Sequence, residues 1–332
     1  MQSDHPIFIV GMPRSGTTLL SMLLNRHETV WISPETHFLE EFLPIILHFP
    51  KLRARNEKLA AALAQNPLDR NFLQRFKREI LGKNFTFSEP ELNDLYQRAP
   101  RLSARDFFQA ILEADAAKHG KRRWGEKTPY HLFYLPALKT LFPPAKFIHI
   151  KRDPRAVSLS TRTAWPRSES PAMLASETCF SWQAHMRIGS AYPSLYPDDY
   201  VEITFEDLVQ HTERTLRRVC GFLALDFDPS MLREGREVDP NFHLSVEPWK
   251  AKALEPPDAS RAAAWLTEMS ADERLWFDRL IGTVMKAHGF PTSQQVADGR
   301  ITRLREQVLM FYWRGRRALN DKRRLIVDHL RG

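Results

Sequence analysis

The chain has 332 residues, 43% of them hydrophobic and 27% charged, the composition of a soluble protein with a substantial core, sized for one large domain or two small ones. Its formal net charge of +8 is concentrated: residues 300–332 hold ten Lys and Arg against three acids, and the rest is near neutral, which excludes a uniformly basic nucleic-acid binder. The two cysteines, Cys179 and Cys220, form no CxxC pair and no metal-ligand cluster, and read as reduced, buried thiols of a cytosolic protein.

In chain order, the apolar run Ile7–Val10 reads as a buried strand. At four residues it is far short of the roughly 20 that a spanning helix needs, and no signal peptide or anchor is expected ahead of it. Thr17–Asn25 reads as the helix this strand feeds, a strand–loop–helix unit of an α/β fold. Trp31–Ile32 is a candidate second strand, followed by "SPETHFLEEFLP". From Lys51 to Lys118 apolar residues recur at helical spacing, punctuated by Pro67, Gly82, Pro90 and Pro100. A helical insertion is expected there, either packed on the sheet or gripping a substrate as a lid. A helix around His131–Leu141, a strand over Lys146–Lys151 and a helix over Ala156–Thr163 after Pro154 form a crossover unit. Its strand-to-helix loop, "KRDPR", is a second place where doubly wound sheets bind ligands. A long helix over Ala172–Ala191, a strand over Tyr200–Phe205 and a helix in "TERTLRRVCGFLAL" follow. The chain is irregular from Glu234 to Pro257, and helices resume at Ala259–Leu266 and Ala271–His288.

The first loop, "GMPRSGTT", nearly matches the phosphate-binding pattern G-x-x-x-x-G-K-[ST], but Thr17 stands where the lysine would be. Backbone N–H groups and the positive end of the helix dipole bind phosphate there without any side chain. Gly11 and Gly16 allow the close approach, and Arg14, Ser15, Thr17 and Thr18 add donors. A tight turn with no ligand would not need Arg-Ser-Gly-Thr-Thr. The missing lysine, and the lack of a clear strand-borne Asp for magnesium, weigh against a kinase or NTPase, and no metal is expected.

"GMPRSGTTLL" resembles the 5′-phosphosulfate loop of the sulfotransferases that use 3′-phosphoadenosine-5′-phosphosulfate (PAPS). "KRDPRAVSLS" resembles that family's 3′-phosphate motif, an arginine followed eight residues later by a serine, here Arg152 and Ser160. "YVEITFEDL" resembles its "RYEDL" strand–helix block, so three blocks stand in order between residue 7 and about 230. Arg14, in place of the lysine of the cytosolic branch, makes the resemblance closer to the tyrosylprotein and bacterial branches. The resemblance implies an α/β fold with a P-loop NTPase-like parallel sheet flanked by helices. A sulfotransferase domain over 1–292, with its helical insertion at about 51–118, would be followed by a basic amphipathic helical extension over 293–332.

It also implies in-line transfer of SO₃ from PAPS, leaving 3′-phosphoadenosine-5′-phosphate (PAP), to an acceptor hydroxyl of a glycan, lipid-linked glycan, peptide tyrosine or small metabolite. Residues 14–18 would hold the sulfuryl end. Lys127 in "WGEKTP" would meet the bridging oxygen; its plainer reading is a surface lysine paired with Glu126. Glu35 in "SPETHFL" would be the base, since partial desolvation raises a carboxylate's proton affinity. Its plainer reading is a carboxylate at the N-terminus of a helix beginning near Thr36. His37 is the second choice of base. Arg152 and Ser160 would hold the 3′-phosphate, with Arg155 either helping them or, as the plainer reading, solvated. Phe205 replaces the tyrosine of the "RYEDL" block, and Lys250, Lys252 and Arg261, none in a clean motif, are the candidates for the family's late basic loop.

In the tail, Leu304, Val308, Phe311, Leu319, Ile326 and Leu330 fall near one helical face among basic residues. That pattern suits a helix on an anionic membrane surface, or one packed on the core or in a homodimer. The expected setting is cytoplasmic, or peripheral at the inner membrane surface. The rival functions are a P-loop kinase-like phosphotransferase and a non-catalytic nucleotide- or membrane-binding protein.

Overall fold

The computed structural model describes residues 5–42, 45, 48–78, 85, 87–165, 171–233 and 255–292; Lys250, Lys252 and the basic segment 293–332 lie outside them. The strands are β1 (Ile7–Gly11), β2 (Val30–Ser33), β3 (Arg123–Lys127), β4 (Lys146–Lys151) and β5 (Tyr200–Thr204). The helices are α1 (Thr17–Asn25), α2 (Phe49–Gln65), α3 (Arg70–Phe76), α4 (Glu89–Arg98), α5 (Ala104–Lys118), α6 (Leu135–Leu141), α7 (Pro154–Ala164), α8 (Pro171–Gly189), α9 (Tyr192–Leu195), α10 (Phe205–Gln210), α11 (Thr212–Phe222), α12 (Trp265–Glu268) and α13 (Ala271–Ala287). The chain divides into two compact units, Met1–Lys151 with Ala191–Asp258, and Arg152–Ser190 with Ala259–Gly332.

The first unit is built on one parallel sheet in the order β2-β3-β1-β4-β5. Ile7, Phe8, Ile9 and Val10 of the central strand are fully buried, which is why β1 reads as an unbroken apolar run: both faces are covered. Chain order reverses at β1, with β2 and β3 on one side and β4 and β5 on the other. The carboxyl end of such a strand is where open α/β sheets bind ligands. β3, with sequence RWGEK, has no apolar alternation to announce it, yet all five residues are buried.

Helices α2 to α5 lie between β2 and β3. Their starts obey ordinary capping chemistry: Asp69 and Ser103 cap α3 and α5, and Ser88 with Glu91 forms a capping box at α4. An aromatic cluster joins these helices to the chain after β2. Phe38 lies 4.5 Å from Phe108, 5.5 Å from Phe72 and 5.6 Å from Phe76, ring to ring. Asp115 of α5, fully buried, accepts from Trp31 Nε1 at 2.7 Å and Ser33 Oγ at 2.5 Å, which ties β2 to that helix.

In the second unit α8 packs on α7 and α13. Trp182 has no exposure and lies 5.7 Å from Phe290, with Phe277 and Met285 also fully buried. No described helix is long and apolar enough to cross a membrane.

At Gly125 an added Cβ would lie 2.5 Å from the Ile7 carbonyl oxygen and 2.5 Å from Ile32 Cδ1, because β3 runs between β1 and β2. Gly125→Ala is therefore expected to lower stability by about 1–3 kcal/mol as an overpacking substitution, read from urea or thermal unfolding. A wild-type midpoint would overturn this account of the strand.

Candidate active site

The loop after β1 is shaped by two glycines. Gly11 has φ +152°, and a Cβ there would meet the Ile150 carbonyl oxygen of β4. Gly16, at φ +97°, is the N-cap of α1, and a Cβ there would lie 2.5 Å from the Phe205 ring. Both positions need the backbone freedom and small size of glycine. Phe205, in the place of the family tyrosine, is buried and packs beneath the loop. Arg14 also takes a positive φ, at 71°. Ser15 is 1% exposed and its Oγ has no hydrogen-bond partner among the described residues. An orphaned buried hydroxyl beside the N-terminus of α1 fits an anionic group held by the loop. Thr17 is buried and Thr18 half-buried.

Glu35 and Lys127 come together in the fold. Lys127 Nζ donates to Glu35 Oε1, with the lysine side chain 3% exposed and the carboxylate 22%. This corrects the reading of Lys127 as a surface lysine paired with Glu126. His37 Nε2 lies 3.2 Å from the other Glu35 oxygen, and His37 Nδ1 lies 3.0 Å from Glu40 Oε1. Each oxygen of the Glu35 carboxylate thus faces a nitrogen donor. Burial opposes charging of His37, but the hydrogen bonds it donates to the Glu35 and Glu40 carboxylates outweigh it and raise its pKa from 6.5 to about 10.

Glu126 points elsewhere. It is fully buried and accepts from Thr36, Thr128 and His131. Burial pushes its pKa up, yet His131, Thr128 and the Thr36 amide together hold it below the ordinary value. The helical turn after β2 begins at Phe38, so Glu35 lies three residues ahead of it rather than at the start of a helix near Thr36. In the sequence alone Thr36, Thr128 and His131 have no role in the site and Glu126 only that of a partner to Lys127; the Glu-Lys-Thr run at the end of β3 is the signal that carries Glu126 and Thr128.

The second unit holds Arg152 and Ser160, each 6% exposed. Arg152 Nη2 donates to the Arg261 carbonyl at 3.2 Å, and the Arg152 carbonyl accepts from Trp182 Nε1 at 2.9 Å. Arg155 is not in solvent. It is 2% exposed, binds Asp153 at 2.9 and 2.6 Å through two nitrogens, and stacks 3.5 Å from the Trp265 ring centroid. Asp153 also caps α7. Arg155 is therefore a strut of this loop. Among the described residues no cluster of three or more His, Cys, Asp or Glu is placed to hold a metal ion.

A profile described as the Sulfotransferase family matches residues 6–229. A putative protein-tyrosine sulfotransferase of Caenorhabditis briggsae is 24% identical over 89% of this chain and 92% of its own. The omega-hydroxy-beta-dihydromenaquinone-9 sulfotransferase of Mycobacterium tuberculosis is 31% identical over 68% of this chain and 64% of its own. Among solved structures, the sulfotransferase domain of the Synechococcus olefin synthase shares the fold, with a TM-score of 0.56 at 22% identity over 87% of this chain and 96% of that domain.

The raised pKa of His37 fixes a pH signature. A group whose pKa rises on folding stabilises fully below its unfolded value, and the contribution is lost as pH climbs through the folded one. His37→Gln is therefore expected to melt below wild type at about pH 6, with the difference fading between pH 6.5 and about 10. A difference that grows with pH would overturn the ion-pair assignment.

Proposed function

The chain belongs to the sulfotransferase family, and we propose that it moves a sulfuryl group from PAPS to an acceptor hydroxyl, with Glu35 as base and Lys127 as the cation at the leaving oxygen. The observation that carries this assignment is the part-buried Lys127–Glu35 pair at the carboxyl end of β3.

The step needs little covalent work from the protein and much placement of charge. The backbone of residues 14–18, with Arg14, Thr17, Thr18 and the orphaned Ser15 hydroxyl, supplies donors for the sulfuryl oxygens and the 5′-phosphate. Arg152 offers a planar fork to the 3′-phosphate and Ser160 a hydroxyl. Lys127 begins engaged with Glu35. Drawn to the developing negative charge of the leaving oxygen, it loosens its hold on the carboxylate, and a carboxylate released from a cation is the better proton acceptor. The acceptor hydroxyl then gives its proton to Glu35 as its oxygen bonds to sulfur. The bond from sulfur to the bridging oxygen breaks, and PAP leaves with that electron pair. His37, bonded to the same carboxylate, holds its orientation.

The relatives' names point to a peptide tyrosine and to the hydroxyl of a dihydromenaquinone as acceptor classes. For this chain the acceptor is taken as a hydroxyl whose class is set by the helices between β2 and β3. We further read residues 1–292 as the catalytic domain of a cytoplasmic enzyme. Residues 293–332, which lie outside the described residues, are read as its basic extension, a segment for contact with a second copy or an anionic membrane.

Calorimetric titration without metal tests the reading. Wild type is expected to bind PAP at micromolar concentration, and Arg152→Ala or Ser160→Ala to weaken it by about tenfold or more, as loss of a charged hydrogen bond does. Glu35→Gln is expected to keep PAP affinity and lower turnover by about 10²–10⁴-fold. Binding of ATP with magnesium in place of PAP would overturn the assignment and favour a phosphotransferase.

A further inference from the structure

Two consecutive residues of β3 hold two consecutive residues of the chain that follows β2. Side chains alternate across a strand, so Lys127 and Glu126 leave β3 on opposite faces. Lys127 meets the Glu35 side chain. Glu126 meets the next residue: its Oε1 accepts from the Thr36 amide at 3.1 Å and Thr36 Oγ1 at 2.9 Å, and also from the Thr128 hydroxyl. Its Oε2 accepts from His131 Nδ1 at 3.0 Å. The Thr128 oxygen in turn accepts from the amides of Thr36 at 3.1 Å and His37 at 3.4 Å, and Thr36 Oγ1 accepts from the Phe38 amide at 3.2 Å. Three successive amides, those of Thr36, His37 and Phe38, are thus tied into one buried knot.

A loop amide is satisfied by any neutral acceptor, and a fully buried carboxylate is an expensive choice unless donors converge on it from several sides. Here four do. We propose that Glu126 is a positioning residue: through Thr36 and Thr128 it fixes the segment that presents the Glu35 carboxylate to Lys127 and His37. The proposal rests on the role of Glu35 as base. The segment has a feature that needs holding, since His37 sits in the left-handed backbone region at φ 51°, which a non-glycine residue keeps only under constraint.

The test uses the full chain and three variants. Thr36→Val keeps the side-chain shape and loses the hydroxyl, Thr36→Ser keeps the hydroxyl, and Glu126→Gln keeps size but trades an acceptor for a donor. The His37 imidazole, followed by NMR, reports where Glu35 is, because Glu35 and Glu40 are the carboxylates bonded to it. Wild type and Thr36→Ser are expected to share a midpoint near about 10. Thr36→Val and Glu126→Gln, with native circular dichroism, are expected to titrate lower by at least about one pH unit, a tenfold change in the balance of the two protonation states. An unmoved midpoint in folded Thr36→Val, or equal shifts in Thr36→Ser and Thr36→Val, would overturn the proposal. Should Glu126→Gln fail to fold, the two Thr36 variants decide alone. Absence of PAP binding by wild type would instead overturn the functional reading, and the His37 titration would still decide whether the knot positions Glu35.

Discussion

A strand buried on both faces has room for charge only where a partner of opposite character waits, and β3 carries two charges at its carboxyl end. Both Glu126 and Lys127 are out of solvent, and an unpaired charge there would be far more costly than the strand pairing could offset. The surrounding architecture answers that demand. One charge takes the Glu35 carboxylate and the other takes the backbone beyond it, so the segment leaving β2 is fixed at both its side chains and its amides. Phe38 carries the constraint into the helices through Phe72, Phe76 and Phe108. Asp115 secures β2 from the α5 side.

The loop after β1 was legible in the sequence because its determinants are local. An apolar run, two glycines at unusual dihedrals and a helix start all lie within residues 7–25. β4 and β5 were legible for the same reason, as short runs of strand-forming residues. β3 was not, since Arg-Trp-Gly-Glu-Lys carries three charges in five positions, and tertiary burial overrides what its composition suggests. Glu35 and Lys127 could be named one at a time from their motifs. Their mutual ion pair joins residues 92 positions apart and is a product of the sheet order. Phe205 read as a lost hydroxyl, whereas its ring is packing for Gly16. Arg155 read as solvated because a charged residue in the first turn of a helix usually is; Asp153, Asp278 and Trp265 close around it instead.

The second unit repeats the theme with a different chemistry. Its first residues are fixed by an arginine used as a brace rather than as a ligand. Arg155 spans Asp153, the Pro291 carbonyl and the Trp265 face, and so holds the turn into α7 rigid. Arg152 has its carbonyl bound to Trp182 and one guanidinium nitrogen bound to Arg261. A guanidinium already oriented loses little further freedom on meeting an anion.

The register of β3 also has a kinetic meaning. It pairs Ile7 with Gly125 and Val30 with Arg123, so the last of these three strands in chain order slots between two that precede it, across a segment whose described residues include four α-helices. Such non-local parallel pairing is slow, because the loop must close before any contact rewards it. The Lys127–Glu35 pair cannot exist before that insertion. A form in which β3 has not yet inserted would therefore keep the loop after β1 while lacking the Lys127–Glu35 pair.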